Sequence, residues 1–208
     1  GVVLSFFEPT GSGAAIVLSS GSSGSTITGF SIALCPFGGL RISGNTTGNL
    51  ISDMKIYLNG SHGIAISGSG TSDNTVTGCF IGTRTGSDTQ GNAASGIYIY
   101  ASSNNTIGGI GGAMDRNDGG ISLFSTSPTA DSITNTEIGT SGTSAGRNVI
   151  TGNSDQNINL VGDTISNTVI FNNYIGVNAT GTSGLPQGGN TGIVITGAAT
   201  GTRIGDDS

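Results

Sequence analysis

Ile16-Val17-Leu18, Leu40-Arg41-Ile42 and Ile64-Ala65-Ile66 are one motif met three times, at intervals of 24 residues. It returns as Ile97-Tyr98-Ile99, Ile121-Ser122-Leu123, Ile158-Asn159-Leu160 and Ile193-Val194-Ile195, at intervals of 33, 24, 37 and 35 residues. Within each copy the apolar residues occupy alternate positions, which is the period of a strand and not of a helix. A second series keeps step: Ile27, Ile51, Val76, Ile107, Ile133, Ile170 and Ile204. Five residues beyond a member of that series stand Ile32, Ile56, Ile81, Ile138 and Ile175. A fixed period of this size marks a solenoid, whose repeats cannot bury their apolar faces alone and must stack. The expected fold is all-β, a single-stranded parallel β-helix of about seven coils with a basic period of 24 residues, in one domain spanning residues 1–208.

Composition agrees. With 39 Gly against 4 Pro, turns fall to Gly, Asn, Ser and Thr, and a helical reading has almost no support. Charged residues make up 9% of the chain, far below the usual quarter, and this suits an extracellular or cell-surface protein. The hydrophobic 34% is spaced too regularly for a disordered chain. The net charge of −6 and the single lysine, Lys55, argue against a nucleic-acid partner, because phosphate binding needs clustered basic residues. There is no run of 18 apolar residues, so no membrane-inserted helix is expected. Cys35 and Cys79 show neither zinc spacing nor a disulfide framework and read as buried free thiols.

Each repeat reads as a Gly-led apolar strand, a turn of small residues, and a second apolar anchor. Asn49, Asn74, Asn105 and Asn167 precede that second strand, where Asn tolerates left-handed backbone and can stack in a row. Three repeats are longer, through extra residues at 82–92, 139–153 and 176–190. The first and third leave directly after Ile81-Gly82 and Ile175-Gly176, so both are expected on one face of the solenoid.

The strings Asn172-Asn173-Tyr174-Ile175-Gly176, Asn104-Asn105-Thr106-Ile107-Gly108-Gly109 and Arg147-Asn148-Val149-Ile150-Thr151-Gly152-Asn153 resemble the signatures of right-handed parallel β-helix repeats. Such repeats occur in large bacterial and archaeal secreted or surface proteins of the pectate-lyase-like superfamily. The resemblance covers nearly the whole chain and implies a right-handed coil. It does not fix an activity, because one fold hosts many functions. Polysaccharide hydrolases of that superfamily carry paired aspartates, a G-H-G and an R-x-K. Here Ser61-His62-Gly63 matches only the histidine segment, and its partners are missing. His62, the single histidine, therefore reads as an exposed turn residue, and no catalytic residue is assigned. No ligand row recurs from repeat to repeat, so neither a metal nor a cofactor is expected.

Two features carry a binding hypothesis. If Ile97, Ile99, Ile121 and Leu123 point inward, Tyr98, Tyr100 and Phe124 point outward beside the small Ala65 and Ser67. Three such aromatics make either a sugar-stacking or partner-docking platform, or a face covered by a loop. The densest charged segment, Asp115-Arg116-Asn117-Asp118, leads into the same strand; Asp115, Arg116 and Asp118 are its candidate contacts for a carbohydrate or partner.

The expected function is a non-catalytic structural or adhesive module. A carbohydrate-active domain with a polysaccharide partner is the alternative. Ice binding through Thr26-Ile27-Thr28, Thr75-Val76-Thr77 and Ser132-Ile133-Thr134 is a minor one. Strand-like sequence at Gly1–Phe7 and Ile193–Ile204, with no amphipathic cap, leads us to expect end-to-end association with other copies or with flanking β-helix.

The inside-outside register is directly testable. Ile121→Asp should unfold the domain, since an unpaired carboxylate in an aliphatic stack costs several kcal/mol, roughly the order of a domain's whole stability. Ser122→Asp, one residue along, should melt close to the parent protein; equal melting of the two variants would refute the register.

Overall fold

The computed structural model describes residues 3–5, 13–85, 90–109, 113–115, 117–126, 131–140, 146–184 and 191–205. Short strands alternate among three faces of the chain, and each face is a seven-stranded, wholly parallel sheet. Sheet A takes Val3–Ser5, Ser31–Ala33, Lys55–Tyr57, Phe80–Ile81, Ala113–Asp115, Asn148–Thr151 and Asn173–Ile175. Sheet B takes Ala14–Leu18, Gly38–Ile42, Ile64–Ser67, Ile97–Tyr100, Ile121–Phe124, Ile158–Val161 and Ile193–Thr196. Sheet C takes Thr26–Thr28, Leu50–Ser52, Thr75–Thr77, Thr106–Ile107, Glu137–Ile138, Val169–Ile170 and Arg203–Ile204. No α-helix occurs among the described residues. Long parallel sheets stacked in this way are what a parallel β-helix requires.

The alternation read from the sequence holds. On sheet B, Leu40, Ile64, Ile97, Ile121 and Ile158 lie in register and are fully buried. A parallel column, Ile42, Ile66, Ile99, Leu123 and Leu160, is equally buried. Between the two columns the side chains of Ala65, Tyr98 and Ser122 emerge on the outer face. Cys35 and Cys79 are buried free thiols, as expected. Burial pushes the Cys79 thiol up to about 12, so it stays protonated.

One member of the second apolar series is corrected. Sheet C pairs Ile107 with Ile138 and Ile138 with Ile170, so Ile138, and not Ile133, continues the column of Ile51 and Val76. Ile133 lies one corner earlier, in a two-stranded sheet with Ile165. The two isoleucines are five residues apart and look alike in one dimension; cross-rung hydrogen bonds decide between them.

Two ladders of buried asparagines lock the rungs together. In each, the Oδ1 of one Asn accepts both the backbone N–H and the Nδ2–H of the Asn one rung before. The first runs from Asn49 to Asn74 (3.1 and 2.8 Å) and from Asn74 to Asn105 (3.1 and 3.1 Å). Asn167 does not join it, because Thr168 occupies that place, preceding Val169 as Asn105 precedes Thr106. Asn167 instead follows Asn104 and Asn135 in an exposed row of left-handed residues with φ of 55°, 56° and 54°. The second ladder was not foreseen. It runs Asn59, Asn92, Asn117, Asn153 at the corner between sheets A and B. Cys35 N–H donates to its first member.

A buried glycine precedes each sheet B strand at Gly39, Gly63, Gly96 and Gly120, for a reason of space. A Cβ at Gly63 would sit 2.7 Å from the Gly96 carbonyl oxygen and 2.8 Å from Ile81 Cγ2. The extra residues leave at corners. The first and third insertions follow the last sheet A residues, Ile81 and Ile175, as anticipated. The second is shorter than 139–153, because Asn148–Thr151 is a regular sheet A strand and Asn153 a ladder member.

Asn92→Ala would strip the acceptor from the N–H and the amide of Asn59, both buried. We expect a loss of about 2–4 kcal/mol in thermal or denaturant unfolding. Asn167→Gly, exposed and at positive φ, should stay within about 1 kcal/mol of the parent.

Candidate functional site

The outer face of sheet B changes character between two neighbouring strands. On Ile64–Ser67 it carries Ala65 and Ser67; in register beside them, Ile97–Tyr100 carries Tyr98 and Tyr100. Tyr100 in turn pairs with Phe124 on the next strand. Small residues against aromatic ones make a step in the wall, and backbone pairing fixes both sides of it.

The step is a connected aromatic run. The His62 ring lies nearly parallel to Tyr98, with centroids 4.5 Å apart and planes 9° apart. Tyr98 and Tyr100 are 6.5 Å apart at 4°, and Tyr100 and Phe124 are 6.5 Å apart at 27°. All four side chains are partly exposed. Near-parallel rings held on a rigid backbone lose little freedom when a planar guest settles on them, as stacking platforms require.

The expectation that His62 is an exposed turn residue is corrected. Its ring packs on Tyr98, and its Nδ1 accepts the Ser95 N–H at 3.2 Å. Ser95 follows the first insertion, so the histidine ties that segment to the wall. Burial pushes the His62 pKa below its ordinary 6.5, and a nitrogen that accepts an N–H must be unprotonated. Tyr98 is displaced the other way, its pKa raised by burial and next by Tyr100, so it remains a neutral phenol.

At the foot of the step, on the side of the earlier strands, lies a depression of about 210 Å³. Gly13, Ala14, Gly38, Leu40, Arg41, Ser61, His62 and Ala65 line it. Glycine and alanine make room there; Arg41, which pairs with Ala65 on sheet B, brings a guanidinium to its edge.

Among the charged candidates the structure is selective. Asp118 is exposed, on the turn before Ile121–Phe124. Asp115 ends a sheet A strand paired with Thr151, facing a different sheet from the aromatics, and Arg116 lies outside the described residues. The carboxylate that does touch the aromatic run is Asp131, which the sequence gave no reason to select. Its Oδ2 accepts the Tyr100 hydroxyl at 2.6 Å and the Thr126 hydroxyl at 2.9 Å. The platform is therefore partly tied down by its own loop, and its freer part is the Tyr98–His62 end. Among the described residues, no three His, Cys, Asp or Glu side chains gather as a metal site.

His62 should leave a signature in the pH dependence of stability. Above about pH 6.5 the ring is neutral in folded and unfolded chains alike and contributes nothing. As pH falls through that value, the unfolded chain takes up a proton that the folded chain resists, so stability declines until the lowered folded-state pKa is passed. We expect the parent to lose melting temperature from about pH 7.5 to 5.5, and His62→Phe to lose distinctly less over the same range.

Compared with protein-family models, with curated proteins and with solved structures, the chain gives no significant match.

Proposed function

We propose that this chain is a non-catalytic structural or adhesive module of an extracellular or cell-surface protein. In this reading it is a right-handed parallel β-helix of seven coils, on a 24-residue period lengthened by insertions, of the kind found in the pectate-lyase-like superfamily. The observation that carries it is the continuity of the wall. Aliphatic columns and buried amide ladders run from rung to rung in all three sheets, and such nearest-neighbour stacking yields a stiff rod on which loops and faces can be varied. Low charge and abundant hydroxyl and amide side chains suit that setting.

The same reading includes growth along the rod axis, with other copies or with flanking β-helix. Ile195 and Ile204 are 40% and 58% exposed, whereas their partners one rung earlier, Leu160 and Ile170, are 0% and 2%. An apolar column that stops in solvent gains by meeting another rung.

A carbohydrate-active role is the second reading, favoured by the aromatic run on sheet B. Ice binding has less behind it. The outer row of sheet C reads Thr26, Leu50, Thr75, Thr106, Glu137, Val169, Arg203, too irregular for a lattice match.

Incubation with a panel of neutral and acidic polysaccharides distinguishes scaffold from enzyme. The scaffold reading expects no new reducing ends and no unsaturated products; either one, abolished by Asp118→Ala or His62→Ala, would replace it. For assembly, sedimentation at high protein concentration should show association that Ile195→Lys with Ile204→Lys weakens. A strict monomer at every concentration would refute axial stacking.

A further inference from the structure

We propose that the depression at the foot of the aromatic step is a binding site for a six-membered ring bearing a carboxylate, stacked on the His62 imidazole and paired with Arg41. His62 lines the depression, and one face of its ring is covered by Tyr98 at 4.5 Å, which leaves the other face for a guest. The Ser95 N–H on Nδ1 and the Tyr98 ring hold the imidazole in place, so a guest meets an oriented surface.

Size and charge narrow the guest. A volume of about 210 Å³ admits one substituted ring and not two. Arg41 is the charged group among the lining residues, and no carboxylate lines the depression. A guanidinium recognises a planar carboxylate through paired N–H donors, whereas a neutral ring leaves that fork unused. The rest of the lining is small, so the ring can approach the wall closely.

Two kinds of molecule share this chemistry, a uronic acid sugar and an aromatic acid. The site goes beyond the scaffold reading and can fail without it, since the polysaccharide panel reads product formation and this test reads binding of a single ring. His62 is the only histidine in the chain, so its imidazole C–H resonances form one assignable probe. We would titrate the intact chain with D-glucuronate, with 4-hydroxybenzoate, and with D-glucose as the neutral control.

Saturable movement of the His62 resonances is expected with at least one acid, with a dissociation constant on the order of millimolar. Which acid saturates tells the sugar from the aromatic source. Arg41→Gln should weaken that binding about tenfold while leaving the thermal melt in place. The proposal is overturned if neither acid saturates, if glucose binds as well as the acids, or if Arg41→Gln binds undiminished. Should Arg41→Gln fail to fold, the comparison of acids with glucose on the parent chain decides alone.

Discussion

Every rung of this protein must repeat the one before it in register. Parallel strands about 4.8 Å apart place each side chain directly over its counterpart, so a residue type that suits the interior once suits it at every level. The asparagine ladders make this demand strict. An amide whose oxygen accepts two N–H groups from the rung before satisfies buried donors that water cannot reach, and it does so only when the two asparagines superimpose. A slip of one residue would turn the aliphatic columns outward and leave those donors unpaired.

The same constraint explains the glycines and the limits of substitution. At the corner entering sheet B the chain runs so close to the next rung that a Cβ at Gly120 would lie 2.2 Å from the Asn157 carbonyl oxygen. Where an asparagine ladder gives way to threonine, the match is poorer. The buried hydroxyls of Thr136 and Thr168 take no hydrogen bond from a described residue, a cost the surrounding apolar packing must offset.

Outward positions answer to none of this, and they are where the chain acquires character. Sheet B presents alanine and serine on one strand and tyrosines on the next without disturbing the columns beneath them. Insertions leave from corners and are fastened by their own contacts. Arg147 stacks its guanidinium 4.2 Å over the Tyr174 ring and donates from Nε to Asn172 Oδ1, bringing together the segments on either side of the sheet A strand Asn173–Ile175. His62 performs a similar service for the first insertion and, in doing so, completes the aromatic run.

Sequence alone determined the strand period, the inward and outward sides of Tyr98, Tyr100 and Phe124, the buried state of both cysteines, and the corner from which two insertions leave. All of these follow from local alternation and from a spacing that survives wherever nothing is inserted. The choice of Ile138 over Ile133, the second asparagine ladder, and the contacts of His62 and Asp131 were decided by the tertiary structure. Insertions of unequal length separate ladder partners by 33, 25 and 36 residues, so one-dimensional spacing no longer says which residues superimpose. The hydrogen bonds and ring contacts between rungs settle that, because they act across a few ångströms of space whatever length of chain lies between.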